Sequence, residues 1–493
     1  MGGDRSSPLW RHRQLPHGRH DGTVRISHRA AGRRRVRSSL AAVTVALLVI
    51  VGATGGGSLA GSIATSSAAN WTVYHHDPAG RGVAAPINLS RARQVWASPA
   101  LDGQLYGEPL VVGSTVIVAT ENDTVYALSA TTGRIRWSTH LGTPVPSSSL
   151  PCGDITPTVG ITSTPVIDPD RQEVFVVADE QGSHAPIHQL IGLGLASGTV
   201  LLRRDVDPPG IDTAANLQRV ALTVDDGNVI FGYGGNDGDC STYHGWLVSM
   251  SETGGALTTY ELDPANGDDQ GAVWMGGAAP VIDAQGNIWI AIGNGSVHSN
   301  SLPYDGSDSV VELSPSLRLL QYFAPSDWAA DNANDRDLGS GVPALLADGL
   351  VVQAGKSQTA YLLSQKKLGG IGGQLSTLGS FCGGNVDGGN AIVGSVVYMP
   401  CQSGIVAVRV HSSPPSLQVE WQASGVGGPP IFAGGLVWTI SSSGMLDGLN
   451  TSSGAVVQQF SLGSVANHFP TPSVGDGRLL APGLNRVYAF ARS

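Results

Sequence analysis

The chain is short of charge: only 13% of its 493 residues are Asp, Glu, Lys or Arg. No stretch repeats apolar residues at helical spacing, which argues against a helical bundle or a helical solenoid. Its four cysteines include no Cys-x-x-Cys spacing, which argues against a zinc site. The recognisable basic cluster, Arg33, Arg34, Arg35 and Arg37, lies at the N-terminus. With that arm set aside the remainder is acidic, so no nucleic-acid-binding surface is expected.

Glycine and proline are abundant instead, 67 and 29 residues, as expected for many short strands joined by tight turns. The stretch Val125 to Trp137 shows the unit. An alternating strand enters a polar turn closed by Gly133, and a second strand ends on Trp137. Taking Leu128 as reference, the same pattern recurs at Leu193, Met250, Leu313, Leu363, Val408, Leu449 and Phe490. The last two spacings are 41 residues, and the earlier copies carry insertions. Each copy is preceded by a second strand–turn–strand pattern, for example Pro280 to Ala291, so a repeat supplies four short strands.

Four antiparallel strands per repeat of this length define a β-propeller blade, and eight copies predict an all-β, eight-bladed propeller. The final copy ends just after Phe490, before its outer strand. Gln94-Val95-Trp96 has the ending of a repeat with nothing before it, so residues near 90–97 are expected to close the ring and remove two open sheet edges. Trp96, Trp137 and Trp421 are expected to be packing anchors between blades.

The expected domains are a basic segment over 1–39, a hydrophobic helix over 40–64 acting as signal or anchor, an entry segment over 65–89, and the propeller over 90–493. Leu40 to Ala53 carries no charge and is followed by small residues up to Ala69, the layout of an export signal. It is short for a membrane span of roughly 20 residues, so both a cleaved signal and a retained membrane anchor stay open. Either places the rest outside the cytoplasm, secreted or at the cell surface. Disulfides suit that destination. Cys382 and Cys401 flank a hairpin-sized segment and are expected to pair, leaving Cys152 with Cys240.

The repeated Tyr126-Ala-Leu-Ser-Ala-Thr-Thr-Gly-Arg-Ile-Arg-Trp137 hairpin resembles that of the quinoprotein (PQQ-type) β-propeller superfamily. The resemblance covers about residues 70–493. It implies either a dehydrogenase that uses pyrroloquinoline quinone and calcium, or a cofactor-free propeller that binds or scaffolds. For the first, the family pattern carries calcium ligation onto Asp237, after Ile230-Phe-Gly-Tyr-Gly-Gly-Asn, and onto Asn294, in Ile290-Ala-Ile-Gly-Asn. It carries the catalytic base onto Asp337, or alternatively Asp335, before Gly339-Ser-Gly-Val-Pro. It carries a quinone-contacting cation onto Lys356. Trp274 stands about three residues from the position of the family's ring-supporting tryptophan, where Gly276-Gly277 is found. The family's adjacent Cys-Cys pair is missing, as is any Cys-x-x-Cys-His for haem.

Arg219 interrupts an apolar pattern. It is a candidate to line the channel and contact the cofactor, or else to pair with a neighbouring blade. For Asp237, Asn294 and Asp337 the plain alternative is that they satisfy donors of their own turns. The favoured function is an exported binding or scaffold protein of the cell envelope, with a protein or cell-wall partner on its loops. The alternative is an alcohol-oxidising quinoprotein dehydrogenase.

Overall fold

The computed structural model describes residues 70–262 and 269–492. The basic arm and the apolar run that reads as a helix lie outside these residues, and among the described residues no helix is long and apolar enough to cross a membrane. The fold is all-β, and its only α-helical turn among the described residues is Trp328–Asn332.

Eight antiparallel sheets follow one another along the chain, each with four principal strands. Blade 1 comprises Leu110–Val112, Thr115–Thr120, Thr124–Ser129 and Ile135–His140. Blade 2 runs from Val166–Asp168 to Val200–Asp205, blade 3 from Thr223–Asp225 to Thr258–Glu261, and blade 4 from Val281–Ile282 to Leu319–Ala324. Blade 5 runs from Ala344–Leu345 to Ser376–Gly379, blade 6 from Ala391–Val393 to Pro415–Ser424, and blade 7 from Ile431–Ala433 to Val456–Ser461. Blade 8 contains Ser473–Gly475, Arg478–Pro482 and Val487–Arg492, and its fourth strand is Ala92–Ala97, paired antiparallel with Val487–Arg492.

The reference residues of the repeat all fall in third strands. Five of them, Leu128, Leu193, Leu313, Val408 and Leu449, follow a register shift against the fourth strand. Such a bulge tightens the local twist and turns the outer strand towards the next blade.

What the outer strand delivers there is a tryptophan. The Trp96, Trp137 and Trp421 indoles donate from Nε1 to Ala130 O, Leu195 O and Thr451 O of the following blade, at 2.8, 3.0 and 2.8 Å. Each ring lies over that blade's turn glycine. A Cβ on Gly133, Gly198 or Gly454 would come within 2.5 Å of the ring. These glycines also have φ of 69°, 70° and 69°, which side-chain-bearing residues adopt at a cost. At these three junctions the outer-strand tryptophan and the next blade's turn glycine form an inter-blade lock.

The segment after residue 69 makes contacts that periodicity does not reveal. Trp71 exchanges backbone hydrogen bonds of 2.7 and 2.8 Å with Val111 of blade 1. Thr72 O accepts from Ile167 N of blade 2, Pro78 O from Ile282 N of blade 4, and Arg81 O from Ile392 N of blade 6. Gly82 O accepts from Phe432 N and Ala84 N donates to Phe432 O, both in blade 7. A dozen or so residues that reach the innermost strands of five blades must cross the ring axis. They pair inner-strand edges that would otherwise face an open channel.

The two disulfides are Cys152–Cys240 and Cys382–Cys401, with Cα separations of 6.0 and 5.7 Å.

Candidate functional site

Residues from the connections between blades, and from the longer second to fifth copies, gather around one cavity. Its volume is about 680 Å³. Asp237, Trp274, Asn294, Asp335, Asp337, Lys356 and Arg219 all line it. They come from different blades, and only the closed ring brings them together.

Asp337 precedes the short turn Leu338–Ser340, which enters blade 5. It is 5% exposed. One of its oxygens accepts the Asn294 backbone N–H at 2.6 Å, and the other meets the Lys356 ammonium at 2.5 Å. Asp335, in a left-handed conformation with φ of 52°, accepts from Lys356 at 2.7 Å and from Asn294 Nδ2 at 2.9 Å. The Asp337 and Asn294 contacts thus span more than forty residues of sequence. These side chains do more than satisfy donors of their own turns.

Burial pushes the Asp337 carboxyl above its ordinary range, although the ammonium and the Asn294 N–H pull the other way. Burial alone would lower Lys356, but the two carboxylates outweigh it and hold the ammonium charged. Asn294 Oδ1 is buried and has no partner among the described residues. An unpaired buried acceptor costs about 1–3 kcal/mol, so this atom calls for a donor. Asp308, fully buried, accepts from Leu338 N at 2.8 Å and fixes the turn that carries Asp337.

Trp274 lies in a tight loop whose next three residues, Met275, Gly276 and Gly277, all have positive φ. The indole packs against Gly234 and Gly293, where added Cβ atoms would approach it to 3.3 and 3.0 Å. The Gly-rich strand ends of blades 3 and 4 are thus the bed of the tryptophan. Asp237 is exposed at the rim, beside Gly238, which sits over the Cys152–Cys240 bridge. That bridge ties two loops that both contribute to the wall, through Asp154 and Asp239.

Arg219 lies at the inner end with its guanidinium 5.0 Å above the Phe469 ring. Among the described residues it makes no ion pair within 4.0 Å, so the expected pairing with a neighbouring blade is replaced by stacking. His468 contacts Asp154 nearby, and burial lowers its basicity. Asp387 faces both Arg219 and Lys356, and burial still raises it to about 6.

Beneath Arg219, Gly276 and Phe469 lies Tyr74 of the crossing segment. Its ring stacks on His75 at 4.3 Å, and His75 N donates to the buried Glu108 at 2.8 Å. The crossing segment thus reaches a small pocket that shares Arg219, Gly276, His468 and Phe469 with the cavity. Among these residues, Asp154, Asp387, His468, Phe469 and Tyr74 carry no motif. They lie in connections between blades or in the crossing segment, and only their position at the axis singles them out.

Among the described residues no group of three His, Cys, Asp or Glu is arranged to hold a metal. The cavity offers an aromatic wall, a clamped ammonium and several carboxyl groups.

A propeller of this kind, with its loops gathered over an axial cavity, is an all-β repeat protein of the quinoprotein architecture. A family model described as outer membrane protein assembly factor BamB matches residues 20–234 and 81–300, together more than half of the chain. The chain belongs to this PQQ-like β-propeller family. Among solved structures it is similar to the quinohemoprotein alcohol dehydrogenase ADHIIG of Pseudomonas putida HK5, at 14% identity and a TM-score of 0.67, covering 86% of this chain and 80% of that one. It is similar to a europium-containing methanol dehydrogenase at 14% identity and 0.63, covering 86% and 98%. It is also similar to BamB from Moraxella catarrhalis at 15% and 0.52, covering 81% and 97%. At these identities the likeness is one of fold. No curated protein matches the sequence at a significant level.

Proposed function

We propose that this chain is an exported propeller of the cell envelope that binds a small ligand in its axial cavity, with its loops free to hold a protein or cell-wall partner. The observation that carries this reading is the cavity of about 680 Å³, walled by side chains from several blades and the connections between them. A concave pocket of that size is the usual form of a ligand site, and here an aromatic wall stands beside many polar groups. Export is supported by the basic and apolar leader in the sequence and by the two disulfides.

One observation favours the dehydrogenase reading: Asp337, Asn294 and Lys356 meet at one point. Against it stands the fit of the cofactor. Pyrroloquinoline quinone carries three carboxylates, and it would face Asp154, Asp237, Asp239, Asp335, Asp337 and Asp387. The Lys356 ammonium is already held by two of these. Trp274 supplies one flat face, and no adjacent Cys-Cys pair supplies another. The residues present do not fit a resident quinone with its calcium.

The test is calorimetric titration of residues 70–493 with pyrroloquinoline quinone and calcium, with dye reduction followed over a panel of alcohols. Absence of quinone binding and turnover supports the binding reading. Turnover that falls with Asp337→Asn overturns it. Fractionation of cells expressing the full chain checks export, and a cytoplasmic location would refute that part.

A further inference from the structure

We infer that the ligand of this cavity is a hydroxyl-rich molecule without negative charge, a sugar or amino sugar; the inference rests on the ligand-binding reading above. Three features of the lining point the same way.

The first is charge. Six aspartates line the cavity against two full cations, Arg219 and Lys356. Asp335 and Asp337 use up the ammonium, and Asp154 holds His468. Even with the buried Asp337 and Asp387 partly protonated, the potential inside stays negative, and a concave site with low-dielectric walls concentrates that field. An anion is repelled from it, whereas a neutral or cationic molecule is admitted.

The second is hydrogen-bonding sense. Asn294 Oδ1 is buried without a donor, while its Nδ2 is committed to Asp335 at 2.9 Å. The carboxylates beside it are acceptors only when ionised. The lining carboxylates therefore favour a ligand that brings donors. Hydroxyl groups do so, and they also accept from Arg219, whose guanidinium has no ion-pair partner within 4.0 Å among the described residues. A carboxylate ligand would supply acceptors to a wall that already has an excess of them.

The third is shape. Trp274 is packed on one side against the backbone of Gly234 and Gly293 and lines the cavity with the other. A rigid aromatic wall beside clustered acceptors suits a ring that carries C–H on its face and O–H at its edge. A purely apolar ligand would desolvate the lining carboxyl groups without pairing them.

The experiment compares glucose, glucosamine and gluconate, a neutral, cationic and anionic version of one skeleton, by calorimetry and by the shift in melting temperature of the folded chain. Glucosamine and glucose are expected to bind, with gluconate at least about tenfold weaker. Asp237→Asn, at the exposed rim, should narrow that gap by raising gluconate affinity. Trp274→Ala and Asn294→Ala should each weaken the sugars at least about fivefold, with circular dichroism reporting that the fold is kept. If gluconate or pyrroloquinoline quinone binds more tightly than either sugar, the ligand class is wrong while the cavity remains a binding site. If none of the four binds, both this inference and the ligand-binding reading fall.

Discussion

Adding a single methyl group at Gly454 tests the lock that holds one blade to the next. Gly454 has φ of 69°, and a Cβ there would lie 2.5 Å from Trp421 Cε3, 3.0 Å from Cζ3 and 3.1 Å from Cδ2. Carbon atoms rest at about 3.5–4.0 Å, so the indole must withdraw by about 1 Å. Left-handed strain costs about 1–2 kcal/mol. Overpacking adds about 1–3 kcal/mol. Weakening the 2.8 Å bond from Trp421 Nε1 to Thr451 O adds about 0.5–1.5 kcal/mol. Gly454→Ala should therefore cost about 3–6 kcal/mol.

Two comparisons isolate the cause. Gly435 has φ of 83° with nothing within 4 Å of its added Cβ, so Gly435→Ala should show the strain alone, about 1–2 kcal/mol. Trp421→Ala should cost about 3–5 kcal/mol by itself, since the side chain is largely buried. In that background Gly454→Ala should add only the strain, giving a coupling of about 2–4 kcal/mol in the double-mutant cycle. The assay is urea unfolding followed by circular dichroism, with slopes compared to check that the transition keeps its cooperativity. If Gly454→Ala costs the same with and without Trp421, or no more than Gly435→Ala, the docking argument is wrong.

Buried charge supplies two more tests. Lys356→Met leaves Asp337 buried without its counter-ion and should cost about 2–3 kcal/mol, less than for a fully buried pair because Lys356 is partly exposed; adding Asp337→Leu should recover most of it, and equal losses in the single and double variants would refute the pairing. His75 is fully buried, and burial lowers it to about 4 from an ordinary value near 6.5. The unfolded chain then binds the extra proton between those values, so stability falls as pH drops from about 6.5 towards 4, by about 3 kcal/mol. His75→Asn should flatten that slope relative to wild type in acid-unfolding curves, and an unchanged slope would sink the assignment.

The period of the fold is legible because the blades repeat similar local chemistry, with an outer-strand tryptophan in three of them. An alternating strand, a turn glycine and an outer-strand tryptophan are each set by a few neighbouring residues, and Leu128, Leu193 and Leu449 mark equivalent positions in three different sheets. Family resemblance also singled out Asp237, Asn294, Asp337 and Lys356, which the structure gathers in one cavity; their roles are matters for the titrations above. By contrast, Asp308 gives no signal, because a buried carboxylate that orients a turn looks like any other aspartate until its partner Leu338 N is in place. The crossing segment is equally silent, since its hydrogen bonds are made by backbone to five inner strands far along the chain.

The sequence by itself determined that this is an all-β repeat chain with eight copies of a four-stranded unit, because period, turn chemistry and composition are local properties. Only the tertiary structure decided where those copies meet: that residues 71–84 bridge the inner strands of five blades, that Arg219 stacks on Phe469 instead of pairing, and that Asn294 spans from Asp335 to Asp337. The physical reason is distance along the chain. Contacts between residues separated by tens to hundreds of positions exist only once the ring has formed, and the character of the cavity is made entirely of such contacts.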